Sequence, residues 1–209
     1  MTGRIVARGL YAITDEQLIP PGQLGRCVSE AVTGGATVIQ YRNKGEDARQ
    51  RQQQASALAQ LCRQHAVPLI INDDVALATS VNADGVHLGK TDASLEQARQ
   101  QLGPQAIIGV SCYNSLERAV HAAQAGADYV AFGRFFASHS KPDARPADIA
   151  LLRQARRQLA LPIVAIGGIT ADNGGALVAA GADLLAAIHG VFGQADIQRA
   201  ARQYANLFR

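Results

Sequence analysis

Short apolar runs, each ended by polar residues, recur along the chain. The sharpest is Leu69-Ile70-Ile71, which stops at Asn72-Asp73-Asp74. So short and β-branched a run reads as a strand buried on both faces, as in a parallel sheet. Leu10–Thr14, Ile107–Ser111 and Ile163–Ile166 are of the same kind. Between them lie four related segments: Gly35-Ala36-Thr37-Val38-Ile39-Gln40, Ala83-Asp84-Gly85-Val86-His87-Leu88-Gly89, Gly126-Ala127-Asp128-Tyr129-Val130-Ala131-Phe132-Gly133 and Gly181-Ala182-Asp183-Leu184-Leu185-Ala186-Ala187. Each couples a small or turn-forming start to an apolar run, giving eight strands in all.

Helical periodicity separates most of the strands. Ala55, Leu58, Ala59 and Cys62 are spaced i, i+3, i+4, i+7, as are Leu116, Ala119, Val120 and Ala123. Near the C-terminus Ile197, Ala200, Ala201, Tyr204, Ala205 and Phe208 share one face. Ser94, Ser115 and either Thr170 or Asp172 stand where N-caps belong, and Gly34, Gly103, Gly126 and Gly181 stand near helix ends. Strands alternating with helices predict parallel βα units. Even spacing, with no GxGxxG after the first strand, favours a closed (β/α)8 TIM barrel over an open doubly wound sheet. Residues 1–209 read as a single domain with no linker or low-complexity tract.

Composition removes several function classes. The net charge is +3 and aromatics make up 5% of 209 residues, so no basic, aromatic-studded surface for nucleic acid is expected. Cys27, Cys62 and Cys112 are odd in number and far apart, which fits a reduced, cytoplasmic setting. No apolar run approaches the roughly 20 residues of a membrane helix, and no secretory signal is apparent. A homo-oligomer is compatible with the sequence. Lys44, Lys90 and Lys141 are the only lysines among twenty basic residues, and each follows a predicted strand in a polar loop. Lysine binds phosphate as a point cation, although three positions could also fall this way by chance.

In parallel barrels chemistry gathers where strands leave the core. After strand two, alternation places Gln40, Arg42 and Lys44 on one side. Two cations and an amide together suit a di- or triphosphate, while Arg42 could instead bridge strands. Strand three supplies Asn72, Asp73 and Asp74; strand four is followed by Asp92. Neighbouring exits let Asp73 face Asp92, and paired carboxylates beside phosphate-binding cations suggest Mg²⁺. Asp74 reads as a helix cap and Asp73 as a ligand. His65 and His121 read as helix residues of packing or surface type. Ser111 could donate to a phosphate, whereas Cys112 reads as a buried small side chain. Strand six leads to Ser138-His139-Ser140-Lys141, an anion grip or a bland polar loop. Gly167-Gly168 after strand seven, with Ile188-His189 after strand eight, fits a phosphomonoester site. The site is thus expected to be two-sided.

Together Gln40-Tyr41-Arg42-Asn43-Lys44, Ile71-Asn72-Asp73-Asp74, Gly85–Gly89 with Asp92, Gly109-Val110-Ser111, Ser138–Lys141 and Ala165–Ile169 resemble the thiamine-phosphate synthase (thiamine-phosphate pyrophosphorylase) family over essentially the whole chain. The resemblance implies a Mg²⁺-dependent transferase that joins hydroxymethylpyrimidine diphosphate to thiazole phosphate and releases pyrophosphate by a dissociative route. It implies that Gln40, Tyr41, Arg42, Asn43, Lys44, Asn72, Ser111 and Lys141 hold the pyrimidine diphosphate. Among them Arg42, Lys44, Ser111 and Lys141 would act on the leaving group. Asp73 and Asp92 would hold Mg²⁺, and Ser138, His139, Ser140, Gly168, Ile188 and His189 the thiazole phosphate. Departures from the family pattern are Lys90 for Gln, serines for threonines at 138 and 140, His189 for Ser and Tyr113 for a frequent His. A thiazole tautomerase-like isomerase and a catalytically silent thiazole-phosphate-binding barrel are the alternatives.

Overall fold

The computed structural model describes residues 8–137 and 145–209. Eight parallel strands close a barrel in sequence order: β1 Gly9–Ile13, β2 Ala36–Tyr41, β3 Leu69–Asn72, β4 Gly85–Leu88, β5 Ile107–Tyr113, β6 Tyr129–Phe132, β7 Ile163–Ile166 and β8 Leu184–Ala187. The expected (β/α)8 barrel is therefore present, with every strand within the segment that the apolar runs marked or within a few residues of it. Around it run α1 Leu24–Thr33, α2 Ala48–Gln64, α3 Val75–Ser80, α4 Leu95–Leu102, α5 Leu116–Gln124, α6 Ile149–Gln158, α7 Ala171–Ala179, α8 His189–Phe192 and α9 Ile197–Ala205.

Strand alternation divides the core into two layers. Tyr11, Ile13, Val38, Ile70, Tyr129, Val164 and Leu184 turn inward and fill the barrel. The intervening residues, such as Leu10, Ala12, Ile39 and Leu69, turn outward and pack under the helices. Helix faces match their periodicity: α2 buries Ala55, Leu58, Ala59 and Cys62, and α9 buries Ile197, Ala200, Ala201 and Tyr204. Phe208 lies beyond α9 in a short 3-10 turn and is partly buried. The caps fall as expected. Ser94 forms a capping box with Gln97, and Ser115 accepts from the Arg118 N–H. Thr170, rather than Asp172, caps α7. His121 lies in the last turn of α5, and His65 sits at the C-cap of α2 just past its end.

The recurring small-residue segments have a physical reason at the bottom of the barrel. Asp84, just before β4, accepts from Leu69 N–H at the start of β3 (2.8 Å). Asp128 does the same for Ile108 of β5 (2.8 Å), and Asp183 for Ile163 of β7 (2.9 Å). In each case the aspartate N–H donates back to the carbonyl of the same residue. Arg99 and Arg156 pair with Asp128 and Asp183. In the first pair Thr37 takes this place, its hydroxyl donating to Leu10 O (3.2 Å). These bonds satisfy strand-end groups that burial would otherwise leave unpaired. They leave the opposite, C-terminal rim for chemistry.

Candidate functional site

A cavity of about 330 Å³ opens at the C-terminal rim of the barrel. That is the size of a small organic ligand site. Gln40, Arg42, Asn72, Ser111, Gly168, Ile188 and His189 all line it, as the strand exits predicted. Ile13, Ala131, Val164, Ile166 and Ala186 give it an apolar floor and wall.

The β2 exit is tied to β1. Thr14, 1% exposed, accepts from Arg42 N–H at 2.9 Å and donates to Arg42 O at 3.1 Å. The Arg42 guanidinium pairs with Asp15 at 3.0 Å and lies 3.9 Å from Glu16. Arg42 is therefore both a bridge between strand exits and a wall of the cavity. Beyond it, Lys44 reaches over β3 and pairs with Asp73 at 2.6 Å. Asn72 also donates to Asp73, at 2.6 Å.

Asp73 and Asp92 meet, as neighbouring strand exits required. Asp73 adopts φ +64, a left-handed conformation, and its N–H continues the β3–β4 ladder to His87 O (2.9 Å). Asp74 accepts from Leu77 N–H and caps α3. Asp92 accepts from Gly89 N–H at 2.6 Å. The two carboxylates differ in electrostatics. Burial works to raise Asp73, but the Lys44 ammonium and a hydrogen bond from Asp92 outweigh it and hold the carboxyl below its ordinary range. Asp92 is raised by burial, then by its hydrogen bond with Asp73, with the Asp73 charge adding to both. Asp92 thus keeps its proton to higher pH and shares it with Asp73. Asp73, Asp92 and Lys44 lie on the rim beside Asn72 rather than in the cavity wall.

Tyr41 and Asn43 do not reach the cavity. Tyr41 alternates outward from Gln40 and Arg42, is 2% exposed, and donates to Gln54 of α2 at 2.8 Å. Burial pushes its phenol to about 12. Asn43 donates to the same Gln54 and accepts from Gly45 N–H (2.7 Å), shaping the loop. Ser138, His139, Ser140 and Lys141 lie outside the described residues. On the far side, Gly167 and Gly168 have φ +104 and +62. A Cβ on Gly168 would strike the Ala137 carbonyl, so only glycine lets the two loops approach this closely.

Three wall residues, and a tyrosine beneath them, were not singled out from the sequence. Arg134, after β6, lines the cavity together with His87 of β4 and Tyr11 of β1. Tyr129, below them, is fully buried and bonds both Tyr11 and His87. Period-two alternation was the available signal: Tyr11 shares a face with Ile13, and His87 with Gly85 and Gly89. Arg118 of α5 was also missed. It donates to Ser111 O (2.8 Å) and Gly89 O (3.2 Å), joining two strand exits, and it lies 5.8 Å from the Tyr113 ring centre. Cys112 is fully buried, and burial pushes its thiol to about 12, so it is no nucleophile at neutral pH.

Residues 10–191 match the family described as thiamine monophosphate synthase. The chain belongs to this family. A thiamine-phosphate synthase of Nitrosococcus oceani is 53% identical over 201 residues, covering 96% of this chain and 93% of the relative. One from Methylobacillus flagellatus is 54% identical over 202 residues, covering 96% and 95%. A solved thiamine phosphate pyrophosphorylase from Pyrococcus furiosus superposes with a TM-score of 0.87 at 36% identity, covering 98% of this chain and 96% of that one. Membership in the thiamine monophosphate synthase family makes the chain a transferase. Among its described residues no helix is long and apolar enough to cross a membrane.

Proposed function

We propose that this enzyme joins 4-amino-2-methyl-5-(diphosphooxymethyl)pyrimidine to 4-methyl-5-(2-phosphoethyl)thiazole, giving thiamine phosphate and pyrophosphate. The observation that carries the reading is the two-sided rim. Cations, an amide and a carboxylate pair stand at β2 to β4, while a glycine turn stands across the cavity at β7 and β8.

The pyrimidine ring sits on the apolar floor, with Gln40 and Asn72 at its polar edge. Arg42 and Lys44 neutralise the diphosphate as the C–O bond breaks, and Ser111 donates a hydrogen bond to it. Lys141 is assigned to the same group. Such charge matching at the leaving group carries most of the rate in a dissociative displacement. The apolar wall keeps water from the pyrimidine-methyl cation until the thiazole nitrogen attacks it, forming the C–N bond. The thiazole phosphate rests on the Gly167-Gly168 turn with Ile188 and His189, and with Ser138, His139 and Ser140. Holding both partners in line replaces a bimolecular encounter by a positioned one.

Two carboxylate oxygen donors and a neighbouring amide fit Mg²⁺, which takes hard oxygen ligands and completes its shell with waters and substrate phosphates. Asp73 and Asp92 would hold it, and it would supply further charge neutralisation of the diphosphate. The test is product formation by purified protein given both substrates, with Mg²⁺ and then with chelator. Metal-dependent product that requires both substrates is expected. No product from a folded sample would overturn the reading and favour an isomerase or a silent binder.

A further inference from the structure

The barrel interior holds an unbroken run of polar groups that links the two ends of the pyrimidine side. Gln40 Nε2 donates to the Tyr11 hydroxyl at 2.9 Å. The Tyr11 and Tyr129 hydroxyls are 2.8 Å apart. The Tyr129 hydroxyl is 2.9 Å from His87 Nδ1, and His87 Nε2 is 2.8 Å from Ser111 Oγ. Tyr11 and Tyr129 are 1% and 0% exposed. Their rings meet edge-on at 5.9 Å, and the His87 ring stacks on Tyr129 at 5.6 Å. A Cβ on Gly109 would overlap the Tyr129 ring, so the strand leaves room for it. The three rings are thus packed against one another in the barrel interior.

We propose that Tyr11, Tyr129 and His87 are positioning residues: a one-way hydrogen-bond chain that presents the Gln40 carbonyl oxygen and the Ser111 proton to the cavity, selecting a ring with an amino donor beside an anionic group. A phenol has one proton to donate. Because Tyr11 receives the Gln40 N–H, its own hydrogen goes to Tyr129, and that of Tyr129 goes to His87 Nδ1. The imidazole must then carry its hydrogen on Nε2 and donate to Ser111. The Ser111 hydrogen is left to turn into the cavity it lines. Burial raises both phenols far above neutrality, so neither proton is lost in solution. Reversing one link reverses all of them. The Gln40 amide would flip, and Ser111 would aim lone pairs at an anion. An anion at Ser111 thus favours the same direction as the geometry.

The inference rests on the proposed aminopyrimidine diphosphate substrate and says why its amino group is required. A 4-oxo analogue would set an acceptor against the Gln40 oxygen. Sites built to pair with a polar group reject an analogue that leaves it unpaired.

Two measurements test the proposal. Nitrogen-15 spectra of His87 in the wild-type protein should show a pyridine-type Nδ1 and a protonated Nε2; a protonated Nδ1 overturns the chain, whatever the variants do. The kcat/KM ratio for the 4-amino over the 4-oxo pyrimidine diphosphate should fall about tenfold in Tyr129→Phe and Tyr11→Phe, the worth of one oriented hydrogen bond. A merely structural role would depress both substrates alike and leave the ratio unchanged, which would overturn the proposal. If wild-type protein makes no product from either substrate, the functional reading fails; the imidazole tautomer still decides the chain.

Discussion

Replacing Asp73 separates its charge from its backbone role. The residue sits at φ +64, where a non-glycine side chain costs ~1–2 kcal/mol unless it is a short polar residue such as Asn or Asp. Asp73→Ala would mix that strain with loss of a carboxylate; Asp73→Asn keeps the conformation and shape. The ion pair it removes is modest, since the Lys44 and Asp73 side chains are 53% and 29% exposed. Such pairs are worth about 0–1 kcal/mol. Thermal unfolding of Asp73→Asn should therefore match wild type within that margin. Turnover should not: removing one preorganised group at a developing charge costs on the order of a hundred- to thousandfold. The assay is pyrophosphate release against Mg²⁺ concentration for wild type, Asp73→Asn and Asp73→Ala. Near-wild-type turnover with unchanged Mg²⁺ dependence in Asp73→Asn would refute the metal assignment. A large loss of stability in Asp73→Asn would refute the separation of charge from backbone.

Further outcomes can be checked individually. Burial and the hydrogen bond with Asp73 raise the Asp92 carboxyl above its ordinary value, so Mg²⁺ affinity should fall on acidification at a higher pH than for a free carboxylate. Isothermal titration across pH reads this, and a flat affinity through that range contradicts it. Asp128→Asn takes the charge from a group accepting from Ile108 N–H and Arg99; a loss of ~1–2 kcal/mol in urea unfolding is expected. An unchanged midpoint would show that the strand-end bond is not stabilising. Cys62 and Cys112 are fully buried, with thiols pushed to about 12 by burial; neither should react with thiol reagents before unfolding. Modification of either in protein that keeps its native circular dichroism would contradict this. Gly109→Ala should cost ~1–3 kcal/mol by crowding the Tyr129 ring, and equal melting temperatures would show that the ring can yield.

How far the sequence could be read depended on whether the cause was local. Buried parallel strands advertise themselves, so the eight strands and their order were legible. Alternation then sent Gln40 and Arg42 inward, and the same rule sends Tyr41 outward, away from the substrate side that family resemblance implied for it. Asp74 was recognisable as a cap because its partner, Leu77, is three residues on. The polar chain through the barrel was not legible. Tyr11 and Tyr129 meet across 118 residues, and an inward tyrosine in an apolar run looks like any bulky core residue. Arg134 escaped notice for a different reason: it follows Gly133 in a loop, where no periodicity aims a side chain.

The aspartates at the barrel base have a consequence for how the molecule could be taken apart. Asp84, Asp128 and Asp183 each bind an even strand to the odd strand before it, and Thr37 does so for the first pair. The barrel is thus four strand pairs set side by side, each with its own internal latch. A break in the chain between pairs spares every latch, whereas a break within a pair separates an aspartate from the amide it holds. Fragments divided at the seams between β2 and β3, or between β4 and β5, therefore keep these side-chain bonds, and only backbone bonds such as Ile107 N–H to Asp84 O must re-form across the cut. Those seams are where split halves should reassemble and where new termini should be tolerated.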